Sequence, residues 1–164
     1  MVIIVFGLPG SGKSIFAERL ASMLHASYIS SDKIRKDMYT HPSYTAEEKH
    51  TVYKVMLDKM RVSMEENRNV ILDGTFYSNE IRSRFIEATA GKIDLFFIEV
   101  TAEESVVRAR LASQREFSDA DLQVYMHINK LWEPLDEPHL MLRSDNSNLN
   151  ELLEAAKAYY HLSY

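Results

Sequence analysis

The 164-residue chain contains no cysteine. That absence excludes disulfide scaffolds, thiolate-bound zinc and thiol catalysis together. Glycine is scarce at 5 residues and proline scarcer at 4. Neither gathers with serine into a linker, and no repeat or low-complexity tract is present. One domain spanning residues 1–164 is therefore expected. No apolar run approaches the roughly 20 residues that cross a bilayer. The apolar start, Met1 to Phe6, has no basic region before it and stops at Gly7-Leu8-Pro9-Gly10, so it reads as a buried strand rather than a signal peptide. The expectation is a cytoplasmic protein without a membrane partner. Basic charge is also in deficit, with 19 Lys plus Arg against 24 Asp plus Glu and a net charge of −5. The broad positive field of a typical nucleic-acid binder is missing, which argues against an extended nucleic acid but leaves room for a local basic site.

What is present is an ordinary globular composition, 46% hydrophobic and 26% charged. A chain of this length buries roughly 68–70% of its unfolded surface, enough to hold a core without metal or disulfide. Val2 to Phe6, Val70 to Leu72 and Leu95 to Val100 are apolar without a polar face, as strands covered on both sides are. Tyr28 to Ser30 and Leu140 to Leu142 are weaker candidates. Between these runs lie helical patterns with recognisable starts. Thr45 with Glu48, Thr101 with Glu104, and Ser118 with Asp121 have the spacing of capping boxes. Tyr53, Met56, Leu57, Met60 and Met64 fall on one helical face and read as core, and Leu149, Leu152, Leu153, Ala156 and Tyr160 repeat the pattern. Strand alternating with helix predicts an α/β fold, a mostly parallel sheet with helices on both faces.

Gly7-Leu8-Pro9-Gly10-Ser11-Gly12-Lys13-Ser14 satisfies G-x-x-x-x-G-K-[S/T]. Average glycine usage puts a chance match in a chain of this length at about one per cent, and the context lowers it. An apolar strand precedes the loop, and Ser14 to Leu24 follows as a helix with Ile15, Phe16, Leu20 and Leu24 available to pack. Glycines allow positive φ and close backbone approach, so successive N–H groups turn inward toward anionic oxygens, and the helix N-terminus adds partial positive charge. Gly7, Pro9, Gly10, Ser11, Gly12, Lys13 and Ser14 are thus the candidate nucleotide-binding residues. Lys13 can reach the β- and γ-phosphates, and the Ser14 hydroxyl is placed to ligate Mg²⁺. The loop identifies a nucleotide site and leaves the reaction open, since ATPases, GTPases and kinases share it. No Asn-Lys-x-Asp run is present to read guanine, which leans toward ATP.

In an open parallel sheet the carboxyl ends of the strands line one crevice. Asp32 follows the second candidate strand and belongs at that edge, either as a base for an acceptor hydroxyl or as a helix N-cap. Arg35, one helical turn on, can hold an anionic or hydroxylated substrate. Asp73 ends the third run, in Val70-Ile71-Leu72-Asp73-Gly74-Thr75, where P-loop enzymes hold Mg²⁺ or its water shell; Asp-Gly is also a common turn pair. Arg108, Arg110 and Arg115 lie on the helix after the fourth strand. One of them can close over a transferring phosphoryl group, while others form a solvated basic face with Glu103 and Glu104.

With these motifs in order, the chain resembles a family of small P-loop kinases. That family includes polynucleotide 5′-hydroxyl kinase domains, zeta-toxin-like kinases and the kinase-like domains fused to aminoglycoside-phosphotransferase-like modules. The Pro9 variant of the loop and Asp32-x-x-Arg35 are similar to the first group. Leu72-Asp73-Gly74-Thr75-Phe76, Arg110 to Arg115, Ser118 to Asp121 and Glu133-Pro134-Leu135 are similar to the others. The resemblance implies a five-stranded sheet in the order 2-3-1-4-5 with a small lid at the arginine helix. It also implies Asp32 as general base, Arg35 as the substrate-holding arginine, and Asp73, Thr75 and Arg110 near the substrate. The expected activity is Mg²⁺-assisted transfer of the γ-phosphate of ATP to a hydroxyl of a small molecule, with Lys13, Asp32 and Arg115 catalytic and Ser14 and Asp73 at the metal. A polynucleotide 5′-hydroxyl kinase and a slowly hydrolysing nucleotide switch are the alternatives.

Overall fold

All five apolar runs become strands of one parallel sheet in the computed structural model, which describes residues 1–113 and 119–161. They are β1 (Val2–Phe6), β2 (Ser27–Ser30), β3 (Val70–Gly74), β4 (Leu95–Ala102) and β5 (Leu140–Ser144), in the order β2-β3-β1-β4-β5. β1 is central, with Val2 to Phe6 opposite Val70 to Gly74 of β3 on one side and Leu95 to Glu99 of β4 on the other. Each of its five residues is fully buried, because helices cover both faces. The expected α/β class, strand order and P-loop fold are what the structure has.

The helices are α1 (Lys13–Met23), α2 (Ser31–Met38), α3 (Ala46–Glu65), α4 (Asn79–Thr89), α5 (Glu104–Ser113), α6 (Asp119–Lys130) and α7 (Leu149–Tyr160). Side-chain alternation along the strands divides the core in two. Val2, Ile4, Phe6, Val70 and Leu72 pack against Val52, Tyr53, Met56 and Met60 of α3 and Phe85 of α4. Ile3, Val5, Ile71, Ile98 and Val100 face Phe16, Ala17 and Leu20 of α1 and Leu152, Leu153 and Ala156 of α7. Asp73 shares the alternation of Ile71 and so lies on the α1 side of the sheet. A smaller cluster of Val107, Leu111 and Tyr125 joins α5 to α6 and packs against Leu8 of the glycine loop. Among the described residues, no helix is long and apolar enough to cross a membrane.

The expected helix starts fare differently. Thr45 caps α3 by accepting from the Glu48 N–H at 3.2 Å. The Glu48 carboxylate does not complete the box, because it bonds to Arg35 and Ser43 instead. A cationic donor is a stronger partner for a carboxylate than a neutral N–H. Thr101 does not cap a helix. β4 runs on to Ala102, Thr101 bonds to the Leu142 carbonyl at 3.3 Å, and α5 starts at Glu104. The Ser118 cap lies outside the described residues.

One buried cation ties the far loops together. Arg82 of α4 is 1% exposed and donates to the carbonyls of Phe76, Glu133 and Pro134 and to Asn79 Oδ1. Burial lowers its pKa from the usual arginine value, and the carboxylate of Glu133 acts the other way. The Arg82 bonds fix the chain after β3 and hold Glu133-Pro134 against it. Phe76, fully buried at φ 44, is kept in a left-handed conformation by its N–H to the Tyr53 hydroxyl at 2.9 Å and by this carbonyl bond.

Candidate active site

The loop after β1 needs its glycines. At Gly12 (φ 91) a Cβ would sit 3.1 Å from the Arg110 guanidinium, and at Gly10 (φ 76) 2.9 Å from the Val107 side chain. Both positions combine left-handed backbone with a close neighbour, so a side chain there would both strain the turn and displace its walls. Gly12 is also the N-terminal cap of α1 and offers no side chain to its N–H groups. An anion is the missing partner that such a terminus accepts.

Pro9, Gly10, Gly12, Lys13 and Ser14 line a cavity of about 770 Å³, whereas Gly7, packed against the Val100 carbonyl, and Ser11 do not line it. Ser11 is 1% exposed and its Oγ has no hydrogen-bond partner; its carbonyl accepts from Ser144. Lys13 is 8% exposed and pairs with no carboxylate among the described residues. A buried, unpaired cation beside inward-turned N–H groups suits polyphosphate oxygens, so the residues fit a nucleotide.

Asp73 is 2% exposed, with Oδ2 accepting from the Tyr28 hydroxyl at 2.7 Å and Oδ1 unpartnered. Burial first, and the Asp73 charge next, push the Tyr28 hydroxyl far above its ordinary pKa, so it stays a donor. Ser14 lines the cavity and Asp73 does not. The unpaired Oδ1 and the Ser14 hydroxyl are hard oxygen donors that suit Mg²⁺, which keeps waters and needs few protein ligands. No cluster of three His, Cys, Asp or Glu side chains suited to a metal occurs among the described residues.

On the β2 side of the loop stand Asp32 and Arg35, both in the cavity wall. Ser30, not Asp32, caps α2, accepting from the Lys33 N–H at 3.4 Å. Asp32 thus sits in the first turn with its carboxylate 66% exposed and one bond, to Arg35 Nη1 at 3.1 Å. Arg35 is buried and held from three directions: Nη1 by Asp32, Nε by Glu48 Oε1 at 2.9 Å, and its plane by the Tyr44 ring at 4.9 Å. Glu48 is 4% exposed; burial pushes its carboxyl up, but the Ser43 N–H and hydroxyl, the Tyr44 N–H and Arg35 outweigh that and hold it below the usual range. Thr75 is also in the wall, 3.1 Å from the Tyr53 hydroxyl.

On the β5 side stands Arg110. It donates to the Gly10 carbonyl and Ser144 Oγ, both at 3.0 Å, to Asn146 Oδ1 at 3.1 Å and to the Asp145 carbonyl at 2.8 Å. Its guanidinium ties the glycine loop to the turn after β5, and Arg110 lines the same cavity as Arg35 and Thr75, from the β5 side of the loop. Arg108 pairs with Glu104 on the surface, as a solvated face does. Arg115 lies outside the described residues.

Several residues in or behind the cavity wall escaped sequence reasoning. Glu48, buried behind Arg35, appeared only as a capping partner, and Tyr53, in the wall, only as core, because helical spacing does not report a polar atom at the end of a buried ring. Ser144, Asp145, Asn146 and Asn148 are a polar run at the carboxyl end of a strand, the same signal that singled out Asp32 and Asp73.

Residues 2–135 match the model of a family described as an AAA domain. The chain belongs to the AAA domain family. No curated protein matches its sequence. Solved structures match the AAA-domain chain nearly end to end. One is a sugar kinase from Janibacter sp. HTCC2649 (TM-score 0.75, 16% identity, 99% of this chain and 95% of that one). Another is a gluconokinase from Sinorhizobium meliloti 1021 (TM-score 0.67, 20% identity, 99% and 97%). A third is the Mycobacterium tuberculosis APS kinase in complex with AMPPNP and APS (TM-score 0.77, 17% identity, 98% and 97%). At these identities the likeness establishes that the AAA domain here has the fold those kinases share.

Proposed function

We propose that this protein transfers the γ-phosphate of ATP to a hydroxyl of a small molecule, with Mg²⁺ as cofactor. The observation that carries the proposal is the presence, in one cavity, of the phosphate loop and of an exposed carboxylate on an arginine that the fold holds rigid. A nucleotide switch has no use for the second. The names of the three structural neighbours, which are small-molecule kinases, support the same class. ATP as co-substrate is consistent with the cytoplasmic location expected from the sequence.

In this mechanism the loop N–H groups and Lys13 hold the β- and γ-phosphates and offset their charge. Ser14 and Asp73 would hold Mg²⁺, which supplies further neutralisation of phosphate charge. Asp32 accepts the proton of the acceptor hydroxyl as its oxygen bonds to the γ-phosphorus and the bond to the β–γ bridging oxygen breaks, releasing ADP. Arg35 orients the Asp32 carboxylate, and Thr75 lines the acceptor side. Arg115, by resemblance, would meet the transferring group from the lid.

The test is a γ-phosphate transfer assay across nucleosides, oligonucleotides, sugars and aminoglycosides. Transfer to a small hydroxyl compound should exceed transfer to DNA or RNA. A polynucleotide 5′-hydroxyl kinase would instead prefer a 20-mer over a mononucleotide, and that preference would collapse with salt as phosphate contacts release counterions. ATP hydrolysis unaffected by every acceptor would favour the switch.

A further inference from the structure

Of the cations around the acceptor half of the cavity, three are engaged by carboxylates. Arg35 gives Nε to Glu48 and Nη1 to Asp32, and its plane lies against Tyr44. Lys33 is bonded to Glu18, and Lys54 on α3 to Asp58. Lys49 is different. It lines the cavity, half-buried, yet forms no ion pair among the described residues; its ammonium lies 5.2 Å over the Tyr77 ring. Lys49 is one helical turn before Tyr53, whose hydroxyl contacts Thr75 in the same wall. The fold therefore sets an unpaired cation beside the hydroxyl-rich end of the acceptor pocket. Lys36, also in the wall, forms no ion pair among the described residues either.

We infer that Lys49 is the anchor for a fixed negative charge on the acceptor, and that the acceptor is an anionic hydroxy compound, a carboxylate or a phosphate monoester, rather than a neutral or cationic one. The inference deepens the phosphotransferase proposal and rests on it for the word acceptor. Electrostatics point the same way. Burial first, and the nearby Arg35 charge second, hold the Lys49 ammonium below the usual lysine range. A partly desolvated cation next to another cation is a cost that an incoming anion removes, and the bond formed is charge-assisted. A polyamine such as an aminoglycoside would meet Arg35, Lys36 and Lys49 on the β2 side of the loop, where Asp32 is the one carboxylate in the wall among the described residues.

The experiment separates this inference from the reaction. With the phosphate loop filled by a non-hydrolysable ATP analogue, Lys49 is acylated briefly with N-hydroxysuccinimide acetate, and its labelling is read by peptide mass spectrometry. Two matched pairs serve as probes: glycerate against glycerol, and adenosine 3′-monophosphate against adenosine. At least one anion should slow Lys49 labelling at a concentration where its neutral twin does not, and which pair responds distinguishes carboxylate from phosphate. Labelling of Lys59, exposed on the same helix, should not change. In transfer assays K49Q should raise KM for anionic acceptors about tenfold, the scale of one hydrogen bond to a charged group, with kcat less affected. K59Q should match wild type. Absence of anion-specific protection overturns the inference, as does an unchanged preference between anionic and neutral acceptors in K49Q, and either result leaves the kinase standing. Failure of ATP to bind the loop would sink the kinase while Lys49 protection still stood.

Discussion

Asp32→Asn separates the two halves of the cavity more sharply than any other substitution. The carboxylate is 66% exposed and makes one bond, to Arg35 at 3.1 Å. An ion pair so open to water contributes about 0–1 kcal/mol, so the variant should melt within a few degrees of wild type. Arg35 keeps its buried partner Glu48, so the acceptor wall stays in place. The loop, Lys13 and Ser14 are untouched, and affinity for a non-hydrolysable ATP analogue should stay within about twofold of wild type, as expected for sites that share no partner. Transfer should nevertheless fall by roughly 10²-fold or more, the contribution of a positioned general base. Calorimetry for the nucleotide and a radiolabelled γ-phosphate assay for transfer measure the two quantities on one preparation. Lost ATP binding with transfer intact would assign Asp32 to the nucleotide, and full transfer with intact binding would remove it from the chemistry.

Lys13→Ala should abolish transfer and weaken nucleotide binding, because removing the loop's cation forfeits a few kcal/mol of transition-state neutralisation; wild-type turnover in that variant would refute the nucleotide site. Glu48→Gln should raise the acceptor KM severalfold while leaving ATP-analogue affinity unchanged, since Arg35 and the Ser43 segment lose the carboxylate that holds them; equal KM values would show that Arg35 needs no such support. Because the Glu48 carboxyl titrates below its ordinary value in the fold, its contribution to stability is full above the usual glutamate range and is lost as pH falls through the lowered value, so the E48Q stability difference should shrink in acid. Arg82→Met should lower urea-unfolding stability by about 3–5 kcal/mol, because three carbonyls and Asn79 lose a charged donor at a buried site; a loss below about 1 kcal/mol would mean that water replaces the guanidinium.

Legibility in the sequence followed the range of the interaction. The strands were readable because a strand covered on both faces is built mostly of apolar residues, as in Val2 to Phe6, and the glycine loop because its φ angles restrict residue type. Both are local demands. The strand order came from resemblance, since neither period nor propensity says which run lies beside which. Thr101 misled for the opposite reason: a capping pattern is local, but β4 extends through it because β5 offers a ladder partner for Thr101 and Ala102.

The arginines mark where sequence reasoning ends. Arg35 and Arg110 are each a cation close in sequence to a candidate site motif, and local spacing alone does not say which groups each guanidinium meets. Their roles in the fold are decided by acceptors 13 and 100 residues away, Glu48 for the one and the Gly10 carbonyl for the other. The sheet puts β2 and β5 at opposite edges with the loop between them, so a guanidinium after β2 meets Asp32 and Glu48 while one reaching from α5 to the turn after β5 braces the loop itself. The same geometry bears on Lys49, which forms no ion pair among the described residues: the carboxylate one residue before it, Glu48, points to Arg35, and successive positions on a helix face different directions, so that charge is turned away from Lys49.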